Sequence, residues 1–200
     1  MNLLIDLVPT TIEIDKKEYE INSDFRNSIL FELLMQDKSV SEEDKIIQAL
    51  QLYYPVIPTN INRAVEQMLW FYRCGKDETI SKGNGPSKGK SVQIYSYDYD
   101  DDYIYSAFLD QYDIDLQDID YLHWWKFKAM FNGLKKDNKI VEIMEYRTIN
   151  LSKIKDKEQK AYYEKMQKLY EIPISKNEKD KINEINNILL NGGDISKALS

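Results

Sequence analysis

Apolar residues recur along this chain with two different periods. Thr11-Ile12-Glu13-Ile14 and Glu18-Tyr19-Glu20-Ile21 alternate polar and apolar positions, the period of two that turns one strand face toward a core. Asp15-Lys16-Lys17 lies between them as a short turn, so a hairpin is expected. Two strands alone are marginal in water, so it should pack on the helices that follow. From Ser23 onward the period becomes helical. Ser23 or Asp24 can cap a helix with Ile29, Leu30, Leu33 and Leu34 on one face, ending near Asp37. Ser41 begins a second, with Glu42, Glu43 and Asp44 in the first turn, where carboxylates favour the helix dipole. Its expected stripe is Ile46, Ile47 and Leu50, and Pro55 and Pro58 bound the break after it. Thr59 or Asn60 caps a third helix, whose stripe runs Ile61, Ala64, Val65, Met68, Leu69, Tyr72.

From Gly75 to Ser91 the pattern lapses into Gly, Ser and Lys with Pro86, which predicts a flexible loop. Periodicity returns near Asp100, where Ile104, Ala107, Phe108 and Tyr112 share a face. Asp118 or Asp120 should begin a further helix reaching Gly133 or Leu134. Ile140, Ile143 and Met144 mark another, and Tyr162, Met166, Leu169 and Tyr170 one more, ending before Pro173. Ser175 can cap a last helix with Ile182, Ile185 and Leu189 in line, stopped by Gly192-Gly193. The expected fold is mainly α, a bundle of about six to eight helices with a small N-terminal β-hairpin. The expected organisation is 1–75 (hairpin plus helices), 76–94 (loop) and 95–200 (a helical part packed with the first).

Composition narrows the function classes. Of 200 residues 42% are hydrophobic, enough for a real core. The net charge of −7 weighs against nucleic-acid binding, which draws on Lys and Arg. The charge is uneven. Between Lys90 and Lys126 there is no Lys or Arg but nine aspartates, a local charge of about −9 that would attract a basic partner surface. One cysteine, Cys74, excludes an internal disulfide. The N-terminus lacks a basic region and carries Asp6, so it does not read as a signal peptide, and no apolar run reaches the roughly 20 residues of a membrane span. A cytosolic protein is expected, without nucleic acid or membrane as partner.

Four features invite a chemical reading. Gly89-Lys90-Ser91 ends like a phosphate-binding loop, but Asn84 stands where its first glycine belongs, and no strand leads in nor helix out. Asp98, Asp100, Asp101 and Asp102 could hold a divalent cation, yet the EF-hand glycine and glutamate are missing, and helix capping accounts for them. His123, the only histidine, cannot form a His/Cys zinc site with a single cysteine, and reads as a packed residue among Tyr121, Trp124 and Phe127. Around Trp124 and Trp125 a helical wheel gives two apolar strips: Trp124 with Phe127, Met130, Phe131 and Leu134, and Leu122 with Trp125 and Ala129. Such a helix is either central in a bundle or offers one side to a partner. On the second reading the partner-binding residues are Tyr105, Phe108, Leu122, Trp124, Trp125, Phe127 and Phe131. No catalytic, cofactor-binding or metal residues are assigned.

The stretch Tyr99 to Phe108, then Tyr112-Asp113-Ile114-Asp115-Leu116, then Leu122-His123-Trp124-Trp125-Lys126-Phe127-Lys128-Ala129-Met130-Phe131 resembles the bacteriophage "gene product fifteen" family of phages and prophages of Gram-positive bacteria. The N-terminal opening and the length are also similar. Family members are encoded in the tail region, near the tail tube and tape-measure genes. The resemblance therefore implies a tail-assembly role in the host bacterial cytoplasm. Its most concrete form is a non-enzymatic chaperone for the tape-measure protein, with the tail tube protein as a second partner and homo-oligomerisation left open. The alternatives are a structural virion component of the tail or connector and, more remotely, a nucleotide-binding enzyme using the glycine-rich loop.

Overall fold

The computed structural model describes residues 2–76 and 93–173. The phosphate-loop-like stretch and the helix expected after Ser175 lie outside the described residues. Among the described residues the protein is mainly α, with seven α-helices and one two-stranded antiparallel hairpin, the fold class that the periodicities predict. Packing divides the chain into two compact units, Met1–Glu145 and a second beginning at Tyr146.

The hairpin pairs β1 (Thr11–Ile14) with β2 (Lys17–Glu20), Ile14 opposite Lys17. The loop is therefore Asp15-Lys16, one residue shorter than the spacing suggested. Both residues have positive φ, 52° and 65°, as a two-residue turn matching the strand twist requires. Ile12 and Ile14 turn into the core. Asp15 accepts a hydrogen bond from the Asn60 side chain (2.8 Å), fixing the turn to the start of the third helix. Lys16 shares the left-handed backbone and has no side-chain tie of that kind. Lys16→Gly is expected to stabilise the protein by about 0.5–1 kcal/mol, read as a higher urea midpoint at unchanged slope.

Helices α1 (Phe25–Gln36), α2 (Glu42–Tyr53) and α3 (Ile61–Tyr72) begin at Asp24, Ser41 and Asn60, whose side chains accept from the backbone N–H of Arg26, Asp44 and Arg63. The buried faces are rotated from those expected. On α1 the inward residues are Phe25, Ser28 and Phe31, while Leu30 is 49% exposed. On α2 they are Lys45, Ala49, Leu50 and Tyr53, and Ile46 and Ile47 face solvent. The cause is polar satisfaction. The buried Tyr53 hydroxyl donates to Ser28 Oγ (2.8 Å), and Lys45 Nζ reaches Met35 O and Glu42, so the i, i+4, i+8 row from Lys45 to Tyr53 turns inward. On α3 Phe71 replaces Ile61, which is exposed.

Helix α4 (Asp101–Tyr112) buries Ile104, Ala107 and Phe108, with Tyr112 half-buried on the same face, as its periodicity predicts. Its acidic start differs from the expected capping: Asp101 and Asp102 occupy the first turn, but Asp100 at the N-cap makes no side-chain cap hydrogen bond and, buried, accepts from Ser96 N–H (2.8 Å) instead. Helix α5 (Trp124–Asn132) follows, and α6 (Lys139–Thr148) buries Ile140 and Ile143. In the first unit α1 packs on α2 and α5, α2 on α3, and α3 on β1. In the second, α7 (Lys157–Leu169) buries no residue fully, and Tyr162 and Leu169 of its expected stripe are exposed. That unit is tied by polar contacts: Gln167 donates to the Tyr146 and Ile149 carbonyls, Arg147 Nε donates to Tyr170 O, and Tyr146 stacks on Tyr170.

Candidate functional site

The aromatic-acidic stretch is organised around a clasp between two helix starts far apart in sequence. Residues 23–25 and 122–124 pair as a short antiparallel bridge: Phe25 N–H donates to Leu122 O (2.9 Å) and Trp124 N–H to Ser23 O (2.8 Å). Asp24 caps α1 and also accepts from Leu122 N–H, while the Arg26 guanidinium donates to the Leu116 and Ile119 carbonyls. This explains why α5 begins at Trp124, not at Asp118 or Asp120. The backbone of Leu122 and Trp124 is committed to the bridge, and Asp115 takes the N–H groups of Gln117 and Asp118 in a local turn. A carboxylate receiving those bonds, and one from the Tyr105 hydroxyl, has its pKa lowered.

His123 is the N-cap of α5, not a residue within it. Its Nδ1 accepts from Trp125 N–H and its Nε2 faces Pro9 O, both at 3.0 Å. The carbonyl needs a donor and the amide an acceptor, so the ring is neutral with its proton on Nε2. Burial, opposed by the Pro9 bond and assisted by the Lys126 charge, lowers its pKa. A lowered folded pKa means that the stabilisation is complete above the ordinary value near 6.5 and shrinks as pH falls below it. The stability advantage of the native protein over His123→Asn is therefore expected to narrow between about pH 7.5 and 5, measured by urea unfolding across that range. A constant difference would contradict the neutral-cap assignment.

The two tryptophans close the other end of the core. Trp124 Nε1 donates to Tyr72 O (2.8 Å) and Trp125 Nε1 to Phe71 O (2.7 Å). These carbonyls end α3, where helical partners run out, so the indoles act as its C-terminal cap. The chain leaves α3 with Cys74 N–H bonded to Phe71 O and Gly75 N–H to Trp70 O, both residues at positive φ. Burial pushes the Cys74 thiol up to about 11, which leaves it protonated and unreactive.

Of the seven residues read as partner-binding, six are core. Phe108, Trp124 and Phe127 are fully buried, and Leu122, Trp125 and Phe131 nearly so; Tyr105 alone is partly open. Phe127 sits at the centre of the ring packing, stacked on Phe25 and on Phe108 with centroids 4.8 Å away in each case. The two-sided apolar helix is thus the central helix of the bundle. Leu122 precedes it, and Ala129, assigned to the second strip, is exposed. Among the described residues no group of three or more His, Cys, Asp or Glu is placed to hold a metal ion, and no helix is long and apolar enough to cross a membrane.

A family model described as Bacteriophage Gp15 protein matches residues 4–172. The chain belongs to the bacteriophage Gp15 family. That is the family which the Tyr99–Phe108 and Leu122–Phe131 blocks resemble, and it points to a phage structural or assembly protein. No curated protein and no solved structure matches the chain. In this Gp15 protein the block from Leu122 to Phe131 builds the clasp and much of the core. What sequence reasoning missed is the clasp itself. The Ser23-Asp24 cap pair marks only the start of α1, and the second half of the clasp lies about a hundred residues away.

Proposed function

We propose that this Gp15 protein is a tail-assembly factor that binds the tape-measure protein during tail morphogenesis, limits its aggregation and helps tail-tube subunits assemble around it. The observation that carries the reading is membership of the Gp15 family along residues 4–172. Its surface chemistry suits the role. The acidic excess between Lys90 and Lys126 favours a basic partner, and Leu4, Ile5, Leu7 and Val56 leave apolar side chains in solvent. The role is binding, with no chemical step assigned.

Co-expression with the tape-measure protein of the same phage tests it. The expected result is a soluble tape-measure fraction that co-purifies with the Gp15 protein, and purified virions from which the Gp15 protein is absent by mass spectrometry. An insoluble tape-measure protein with no co-purification sinks the reading, and stoichiometric presence in virions replaces it with a structural one.

A further inference from the structure

An open apolar groove of about 620 Å³ lies between α1 and α4. Ile29 and Leu30 of α1 form one wall, Ile104 and Tyr105 of α4 the other, and Leu116 and Phe127 close it. Leu30 is 49% exposed on a helix whose other face is fully engaged. The rim is negative. Asp101 and Asp102 border the groove and are exposed. On the α4 wall the Tyr105 hydroxyl donates to Asp115 (2.9 Å), and Asp118 lies near enough for its charge to act on that hydroxyl. Among the described residues the one cation lining the groove is Arg26, which is paired with Asp24 and turned toward the Leu116 and Ile119 carbonyls.

We propose that this groove docks one amphipathic helix of a partner protein, with an apolar i, i+3/i+4, i+7 row that sits against Leu30 and Ile104 and Lys or Arg flanking that row to meet the aspartate rim. Both features favour this occupant over others. An apolar floor calls for the apolar row of a helix, the helix-in-groove mode. A carboxylate rim whose neighbouring Arg26 is paired with Asp24 selects positive flanks and repels acidic helices, including acidic surfaces of a second copy of this chain. The inference rests on the assembly reading only for which protein carries the helix.

The probe is a synthetic amphipathic peptide of about five helical turns with Leu on one face and Lys on its flanks, set against the same peptide with Glu flanks. Binding to the full-length protein is followed by fluorescence anisotropy at two salt concentrations. The Lys peptide is expected to bind at least about tenfold more tightly than the Glu peptide, with the gap shrinking in salt. Leu30→Asn should weaken it about tenfold or more, and the Asp101→Asn/Asp102→Asn pair several-fold with a flatter salt dependence. All three positions are exposed, so the fold is retained, which circular dichroism checks. Equal binding of both peptides, or an equal loss from the remote pair Glu42→Gln/Glu43→Gln on α2, overturns the groove. If the tape-measure protein still co-purifies with Leu30→Asn at native yield, the groove is wrong while the assembly reading stands. If the Lys peptide binds the groove but the tape-measure protein never co-purifies, the assembly reading falls and the groove remains.

Discussion

Trp124→Ala is expected to unfold the first compact unit, or to leave it without fixed tertiary packing at room temperature. The ring is fully buried, stacked on Tyr72 (centroids 5.6 Å) and on Phe127 (5.8 Å). Removing a buried tryptophan costs about 3–5 kcal/mol in lost burial and residual cavity. The substitution also removes the 2.8 Å indole bond to Tyr72 O, leaving it only the weak Cys74 Sγ donor at 3.9 Å, at a further cost of about 1–3 kcal/mol. The sum is comparable to the whole stability of an ordinary domain, about 5–15 kcal/mol. Trp124→Phe separates the contributions, since it keeps the stack and loses the N–H; it should remain folded but less stable by about 1–3 kcal/mol. Near-ultraviolet circular dichroism and urea unfolding report both. A Trp124→Ala protein that unfolds cooperatively within about 1 kcal/mol of native would show that the ring does not hold the core.

Gly75→Ala is the second large effect, at a residue that the composition assigns to the start of a flexible loop. Gly75 has φ +68°, and a Cβ there would stand 2.9 Å from Trp125 Cη2 and 3.3 Å from Trp70 Cζ2. Neither indole yields easily. Trp125 is nearly buried and anchored through its N–H to Phe71 O, and the two rings meet edge to face at 5.5 Å. Left-handed strain of about 1–2 kcal/mol adds to an overpacking cost of about 1–3 kcal/mol, a total of about 2–5 kcal/mol. The lowered urea midpoint should come with a shift in tryptophan fluorescence, because the contact is with two indoles. An unchanged midpoint would mean that Gly75 is a spacer.

The contrast between these residues shows what a sequence can disclose. The hairpin was legible because its strands adjoin in sequence, and the caps Asp24, Ser41 and Asn60 because each is a local contact between a side chain and a backbone N–H two or three residues on. The face of α2 was not, because hydrophobicity favours Ile46 and Ile47 while Tyr53 and Lys45 turn inward to reach partners on or beyond other elements. The start of α5 was hidden for a stronger reason: residues 122–124 spend their backbone on Ser23 and Phe25, a pairing with no local signature. The candidate partner residues do form a cluster, and six of the seven are buried in the isolated chain. Aromatic density marks burial as readily as binding, and the groove beside α1 and α4 draws its lining from three helices and two loops, with Leu30 as its most exposed apolar residue.

Hydrogen exchange of the full-length protein, alone and with the co-expressed tape-measure protein, tests most directly the claim that a closed aromatic core presents its partner surface elsewhere. The indole N–H protons of Trp124 and Trp125 should already be strongly protected in the free protein and unchanged in the complex, while new protection appears in α1 and α4 beside the groove. Indole protons that exchange freely until the partner binds, with α1 and α4 unaffected, would contradict the account and return the tryptophan pair to the role of a binding face.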